Sequence, residues 1–270
     1  MLEVLKNTTY RHLFLAQVIA LIGTGLITIA LALQAYDIAK GQAAQVLGIA
    51  LAIKMIAYIG VAPIASAFAE RLPRKKVLVG LDVIRALTAL CLPFVTQIWQ
   101  IYILIFILQS ASAAFTPTFQ AMIPEVLPIE EEYTKALSLS RLAYDLENII
   151  SPMLAGLLLT VMSYHNLFLG TVVGFIGSAL FVVSAKLPNA KMPEFIGVYN
   201  RIKQGAKIYF RTPRLKALLA LNLAIASASA VVIVNTVVLV QTTFGLTEKA
   251  TTWAFGLFGL GSMLAAFALP

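Results

Sequence analysis

One short charged turn, clamped between two apolar runs, limits what this chain can fold into more than any other stretch. Residues 66–85 read SAFAERLPRKKVLVGLDVIR, with Glu70, Arg71, Arg74, Lys75 and Lys76 standing between the apolar runs 45–69 and 77–96. About 20 consecutive apolar residues are what a helix needs to cross the hydrocarbon core of a bilayer. Both flanking runs meet that length, so the turn is predicted to be a tight connection at one membrane face. Lys and Arg gather in cytoplasmic loops, which places this turn on the cytoplasmic side.

The same alternation continues along the chain. Eight apolar runs are present, at 13–36, 45–69, 77–96, 98–122, 137–162, 167–185, 215–241 and 251–270. The chain is 60% hydrophobic and 12% charged with a mean hydropathy of +0.90, against about 25% charged residues in a globular domain. It is predicted to be an all-α, polytopic membrane protein. A net charge of +8 invites a nucleic-acid reading, but no soluble basic segment is large enough to form such a domain. Of the 20 Lys and Arg, fifteen flank the amino terminus or the even-numbered loops. The odd loops hold only Lys40 and Lys249, while Lys54, Arg85 and Arg141 lie inside runs. That asymmetry sets the amino terminus in the cytoplasm and excludes nucleic acid as the partner. Cys91 is the single cysteine, so disulfides within the chain and Cys-based metal sites are excluded. His12 and His165 are isolated, and no phosphate loop, carboxylate pair, nucleophilic triad or metal-ligand spacing is present. The chain is expected to be no enzyme and to need no cofactor. The first run is full length, so no cleaved leader is expected.

The longest connection divides the chain into three parts: a six-helix bundle at 1–185, a basic linker at 186–214, and the start of a second bundle at 215–270. In the linker, Phe195, Tyr199, Ile202, Ala206 and Tyr209 recur at helical spacing opposite Arg201, Lys203, Lys207 and Arg211. This predicts an amphipathic helix lying on the cytoplasmic leaflet. After it the chain repeats weakly: Arg214 answers Arg11, Gly245 answers Gly41, and Pro270 answers Pro63. Two parallel six-helix halves are expected of such a repeat. The end at Pro270, inside the eighth run, is read as a truncation after the first two helices of the second half.

Residues 66–78, SAFAERLPRKKVL, resemble the glycine, acid, arginine, glycine, basic-pair pattern between the second and third helices of major facilitator superfamily transporters. Ser66 stands where that family has glycine, Glu70 where it has aspartate, and Pro73 where it has the second glycine. DVIRA at 82–86, FTPTFQAMIPEVLP at 115–128 and SLSRLAYDLENIISPMLAG at 138–156 are similar to the drug-efflux branch that includes macrolide and enterobactin exporters. The ISPMLAG portion, with Ser151, Pro152, Ala155 and Gly156, resembles the glycine, proline, paired-glycine pattern in the fifth helix of antiporters, Ser151 and Ala155 replacing glycines. The resemblance implies a bacterial inner-membrane transporter, exporting amphipathic small molecules against protons by alternating access. A non-transporting scaffold, a uniporter and a lipid flippase on the same fold remain the alternatives.

Physical reasoning adds roles. Glu70 and Asp82, near Arg71, Arg74 and Arg85, could pair in one conformation and part in another, biasing a two-state equilibrium by about a few kcal/mol; alternatively the bases only enforce topology. In the fifth run Arg141, Asp145, Asn148 and Pro152 share a helical face to within about 40°, and Glu147 points about 120° away. Arg141 and Asp145, one turn apart, suit a structural ion pair. Glu147 has no local partner, and a charge inside a bilayer is costly. Glu147, or Asp145 once its arginine leaves, is the candidate proton carrier, the alternative being a hydrogen-bonded structural acid. Gln17, Thr24 and Thr28 share one face of the first helix, as Gln109 and Ser112 share one of the fourth. These could line a central cavity walled by Tyr58 and Phe115, or hydrogen-bond between helices. Lys54 is expected to snorkel to the outer surface.

Overall fold

The computed structural model describes residues 2–69, 73–186 and 198–268. These form ten α-helices: α1 Thr8–Ala39, α2 Ala43–Ala69, α3 Arg74–Cys91, α4 Ile98–Gln120, α5 Ile123–Val126, α6 Glu130–Leu158, α7 His165–Ser184, α8 Val198–Arg211, α9 Pro213–Val238 and α10 Glu248–Ala268. In hydrocarbon every backbone N–H and C=O must find its partner within the segment, which leaves the helix as the one economical conformation for such runs. Each of the eight apolar runs coincides with one long helix, and α5 and α8 are the short additions. Among the described residues six segments are long and apolar enough to cross a membrane by length and composition, Thr8–Ala39 and His165–Ser184 included, whereas the helices of the fifth and eighth runs, α6 and α10, are not among those six. The sixth helix carries Arg141, Asp145 and Glu147 and still runs through the same bundle. It begins ahead of its apolar run because Glu130, Glu131 and Glu132 occupy its first turn, where carboxylates favour a helix N-terminus.

The large apolar side chains that face outward, among them Ile56, Ile59, Val161, Val173 and Leu180, invert the surface of a soluble protein and suit lipid. Inside, α1 is the central element. It packs against α7 along most of its length and also against α6 and α2, while α3 packs on α7 and α4, α2 on α4, and α10 on α6. Tyr10, Leu13, Ile27 and Leu33 of α1 are among the most deeply buried side chains. The α1–α7 seam is built from small residues: a Cβ added at Gly174 would lie 3.1 Å from both the Gly23 Cα and the Ile19 carbonyl oxygen. Thr171 Oγ1 donates to the Gly23 carbonyl at 2.9 Å across the same seam. Without a hydrophobic force between helices in lipid, such backbone approach supplies the packing energy.

The helix ends are tied together by polar groups. At the basic end, Arg74 pairs with Glu125 at 2.5 Å and donates to the Ala121 carbonyl at 2.8 Å. Lys75 donates to the Ala185 carbonyl at 3.0 Å. The first turn of α3 thus caps the carbonyl ends of α4 and α7, where a cation is favoured by the helix dipole. At the opposite end, Gln34 donates to the Leu92 carbonyl at 2.6 Å and the Tyr164 hydroxyl to Asp37 at 2.5 Å. Between α7 and α9 lies the basic α8, with Lys203, Lys207 and Arg211 exposed. Phe195 and Pro270, named in the sequence analysis, lie outside the described residues, and for Tyr199, Arg201, Ile202 and Ala206 only the helical backbone is described.

The α1–α7 seam should be intolerant of bulk. Gly174→Leu is expected to lower the melting temperature of the detergent-purified protein, overpacking costing about 1–3 kcal/mol. Gly80→Ala, with nothing within 4 Å of an added Cβ, should leave the melting temperature unchanged or slightly raised.

Candidate functional site

Opposite the α7 seam, α1 turns its polar face to a cavity of about 560 Å³, bounded by residues of α1, α2, α3, α4, α6, α9 and α10. Gln17, Thr24 and Thr28 come from α1, Tyr58 from α2, and Ser112 and Phe115 from α4. Six of the seven predicted cavity residues are therefore brought to one wall system. Gln109 is the exception: it is half-buried on α4 and is not part of this lining. It precedes Ser112 by three residues, and α4 is rotated so that Ser112, Phe115 and Thr116 face inward. Hydrogen bonding decides the α1 threonines: Thr24 Oγ1 donates to the Ala20 carbonyl and Thr28 Oγ1 to the Thr24 carbonyl, both at 2.9 Å. These bonds stay within the helix, so the two hydroxyls face the cavity rather than bridging helices. Gln17 is buried and reaches the Ser140 carbonyl at 3.5 Å, its Oε1 unpartnered.

The fifth-run helix, α6, contributes Tyr144, Glu147, Ser151 and Pro152 to the lining. Glu147 sits on the cavity wall. Arg141 and Asp145 do pair, Nε to Oδ1 at 3.4 Å, but with side chains 79% and 55% exposed, on the outer face and away from the cavity. Such an open pair contributes little. For Asn148 only the helical backbone is described. Ser151 is buried, its Oγ unpartnered, and it lies where a Cβ at Gly25 would stand, so α1 and α6 touch there. Ala155 is buried, and a Cβ at Gly156 would meet Thr252 of α10 at 3.0 Å. The small residues of this motif thus seat α6 between α1 and α10.

Lys54 corrects the expectation of an outward-snorkelling lysine. It lines the cavity with Met55 and Tyr58, and Glu147 of α6 belongs to the same lining. Snorkelling suits a lysine whose helix face meets lipid; here that part of α2 faces the cavity.

The third helix places a second charge pair deeper. Asp82 is fully buried and Arg85 nearly so; they pair with each other, and Ser178 Oγ of α7 donates to Asp82 Oδ2 at 2.8 Å. The Arg85 guanidinium lies between two rings, 4.1 Å from the Phe115 centroid and 4.5 Å from that of Phe175. Cation–π contact and the carboxylate together offset the desolvation of the charge. Arg85 also borders the cavity. Asp82 and Arg74 are eight residues apart on one helix, about 12 Å, and they take separate partners. Glu70 and Arg71 lie outside the described residues, for Ser66 only the helix is described, and Pro73 directly precedes α3. Glu125, Phe175 and Ser178 were not singled out from sequence. The one available signal was in α7, where Thr171, Gly174 and Ser178 recur at helical spacing as a small and polar stripe.

Long apolar helices around a central cavity of mixed polarity define a multi-pass membrane protein. The sequence profile of the Major Facilitator Superfamily matches residues 13–270, and the chain belongs to that family. It is 25% identical over 209 residues to the uncharacterized MFS-type transporter YfiS of Bacillus subtilis, covering 76% of this chain and 50% of that protein. It is 27% identical over 177 residues to macrolide efflux protein A of Streptococcus pyogenes, covering 64% of this chain and 43% of that one. The chain thus spans about half the length of the curated relatives it matches. A solved structure of a mutant of the nucleoside transporter NupG superposes with a TM-score of 0.75 at 14% identity, covering 97% of this chain and 67% of that one. That likeness establishes the fold. Membership of this family also answers the expectation that the chain is no enzyme.

Removing one member of the buried pair should be costly. Asp82→Leu strands the Arg85 charge and is expected to destabilise by about 3–5 kcal/mol, whereas Asp82→Leu combined with Arg85→Met should recover most of that loss. Thermal unfolding of the two purified variants against the parent checks it.

Proposed function

We propose that this chain acts in the export of amphipathic small molecules by alternating access, with Glu147 as the proton carrier. One observation carries the reading: Glu147, an acid of the bundle helix α6, lines a central cavity of about 560 Å³, within the size range of drug-sized ligand sites. Tyr58, Phe115, Phe255 and Phe258 supply apolar wall, and Gln17, Thr24, Thr28 and Ser112 supply polar contacts. An intramembrane acid on such a wall is a functional group by default. The similarity to macrolide efflux proteins supports bulky amphipathic compounds as the substrate class. Residues 1–185 act as one bundle and 215–270 belong to the opposing one, rocking about the cavity. The basic α8 rests on the membrane surface, against its lipids. The turn at 66–76 works as a latch at the cytoplasmic end, with Arg74 and Lys75 anchoring it to α4, α5 and α7. The protein sits in the bacterial inner membrane with its amino terminus in the cytoplasm.

Coupling is tested in proteoliposomes. An imposed proton gradient should stimulate export by the parent. Glu147→Gln, measured at saturating substrate, should transport at a rate indifferent to that gradient. A pH dependence equal to the parent's removes Glu147 from the coupling, and a complete lack of substrate-dependent proton flux in the parent favours the scaffold reading.

Orientation has its own test. In a Cys91→Ser background, a membrane-impermeant maleimide added to intact cells is expected to label Gln97→Cys and to spare Lys76→Cys. The reverse pattern inverts the topology.

A further inference from the structure

The cavity lining contains three charged side chains: Lys54, Arg85 and Glu147. Arg85 is committed to Asp82 and to two aromatic faces. Lys54 of α2 and Glu147 of α6 therefore carry the remaining opposed charges of this one lining. Each has a tyrosine on its own helix at the neighbouring turn: Tyr58 four residues after Lys54, and Tyr144 three residues before Glu147. Both tyrosines line the same cavity as the two charges. Two helices thus present matching pairs, a charge and a phenol each, across one space.

We infer that Lys54 is a tethered stand-in for the charge of the ligand: a molecule bearing a quaternary or protonated amine displaces the Lys54 ammonium from the field of Glu147 and seats its own cation there, flanked by Tyr58 and Tyr144. This rests on the reading of the cavity as the transport site and names the substrate class it takes. The asymmetry between the two charges selects a cation over an anion. Lys54 carries its charge on a flexible four-carbon stem that can swing aside, whereas Glu147 is short and held on α6. Aromatic faces attract a cation, most strongly once it is desolvated, and they present their negative faces to an anion. An anionic ligand would need to displace the less mobile group and lie against those faces.

Tetraphenylphosphonium and tetraphenylborate, nearly the same shape with opposite charge, are suitable probes. Equilibrium dialysis with the purified chain is expected to show tetraphenylphosphonium bound at least about tenfold more tightly than tetraphenylborate. Lys54→Met, which deletes the competing internal cation, should tighten tetraphenylphosphonium binding by about three- to tenfold, and Glu147→Gln should weaken it by about tenfold or more. Lys54→Gln serves as the second variant should Lys54→Met fail to fold, judged by its melting profile. Unchanged or weakened tetraphenylphosphonium binding on neutralising Lys54, or tetraphenylborate preferred by the parent, overturns the inference. The two readings fail separately. Proton-driven export that persists without cation-selective binding defeats this inference alone. Cation-selective binding with the predicted Lys54 response but without export supports it while defeating the transport assignment.

Discussion

The approach of α1 to α7 at Gly23 and Gly174 governs the rest of the structure. In a bilayer the lipid tails are as apolar as leucine, so helices associate through close packing and hydrogen bonds rather than through water exclusion. With Ile19 and Gly23 against Gly174, α1 is drawn into the middle of the bundle on its α7 side. Its opposite face then has nowhere to go but inward, and Gln17, Thr24 and Thr28 lie on that face. The contact of Gly25 with Ser151 fixes α6 beside it and turns Glu147 to the same space.

Charge placement follows a consistent rule. Where a charge is fully enclosed it is multiply satisfied, as Asp82 is by Arg85 and Ser178, because an orphaned ion in low dielectric costs several kcal/mol. At the helix ends, charges serve as caps, as Arg74 and Lys75 do for α4 and α7. The outward-facing Arg141 and Asp145 pair without burial. Lys54 and Glu147 fit none of these patterns, for they face each other across open space rather than through contact.

Much of this was legible in the amino-acid sequence, and the parts that were not share a cause. That each of the eight apolar runs forms one long helix follows from apolar length, which is local information. The angular separation of Glu147 from Arg141 needs only the 3.6-residue period, but which of the two faces the cavity is decided by the packing of α6 on its neighbours. Lys54 was misplaced because its partner is 93 residues away on another helix, and one helix's periodicity carries no news of its neighbour's rotation. Gln109 failed for the same reason: three residues from Ser112, it shares a broad face, and only the packing of α2 on α4 decides where that face ends. Ser178 and Glu125 were passed over because each looks ordinary alone and gains a role from a partner on another element.

The two threonine hydroxyls of α1 give this wall a polarity that residue names conceal. Each spends its only proton on a carbonyl one turn back, so what it turns toward a guest is a pair of oxygen lone pairs. A Thr hydroxyl is ordinarily two-sided, able to give or to take; these two can only take. Along these two turns of α1 the wall therefore offers acceptor oxygens and no free hydroxyl proton.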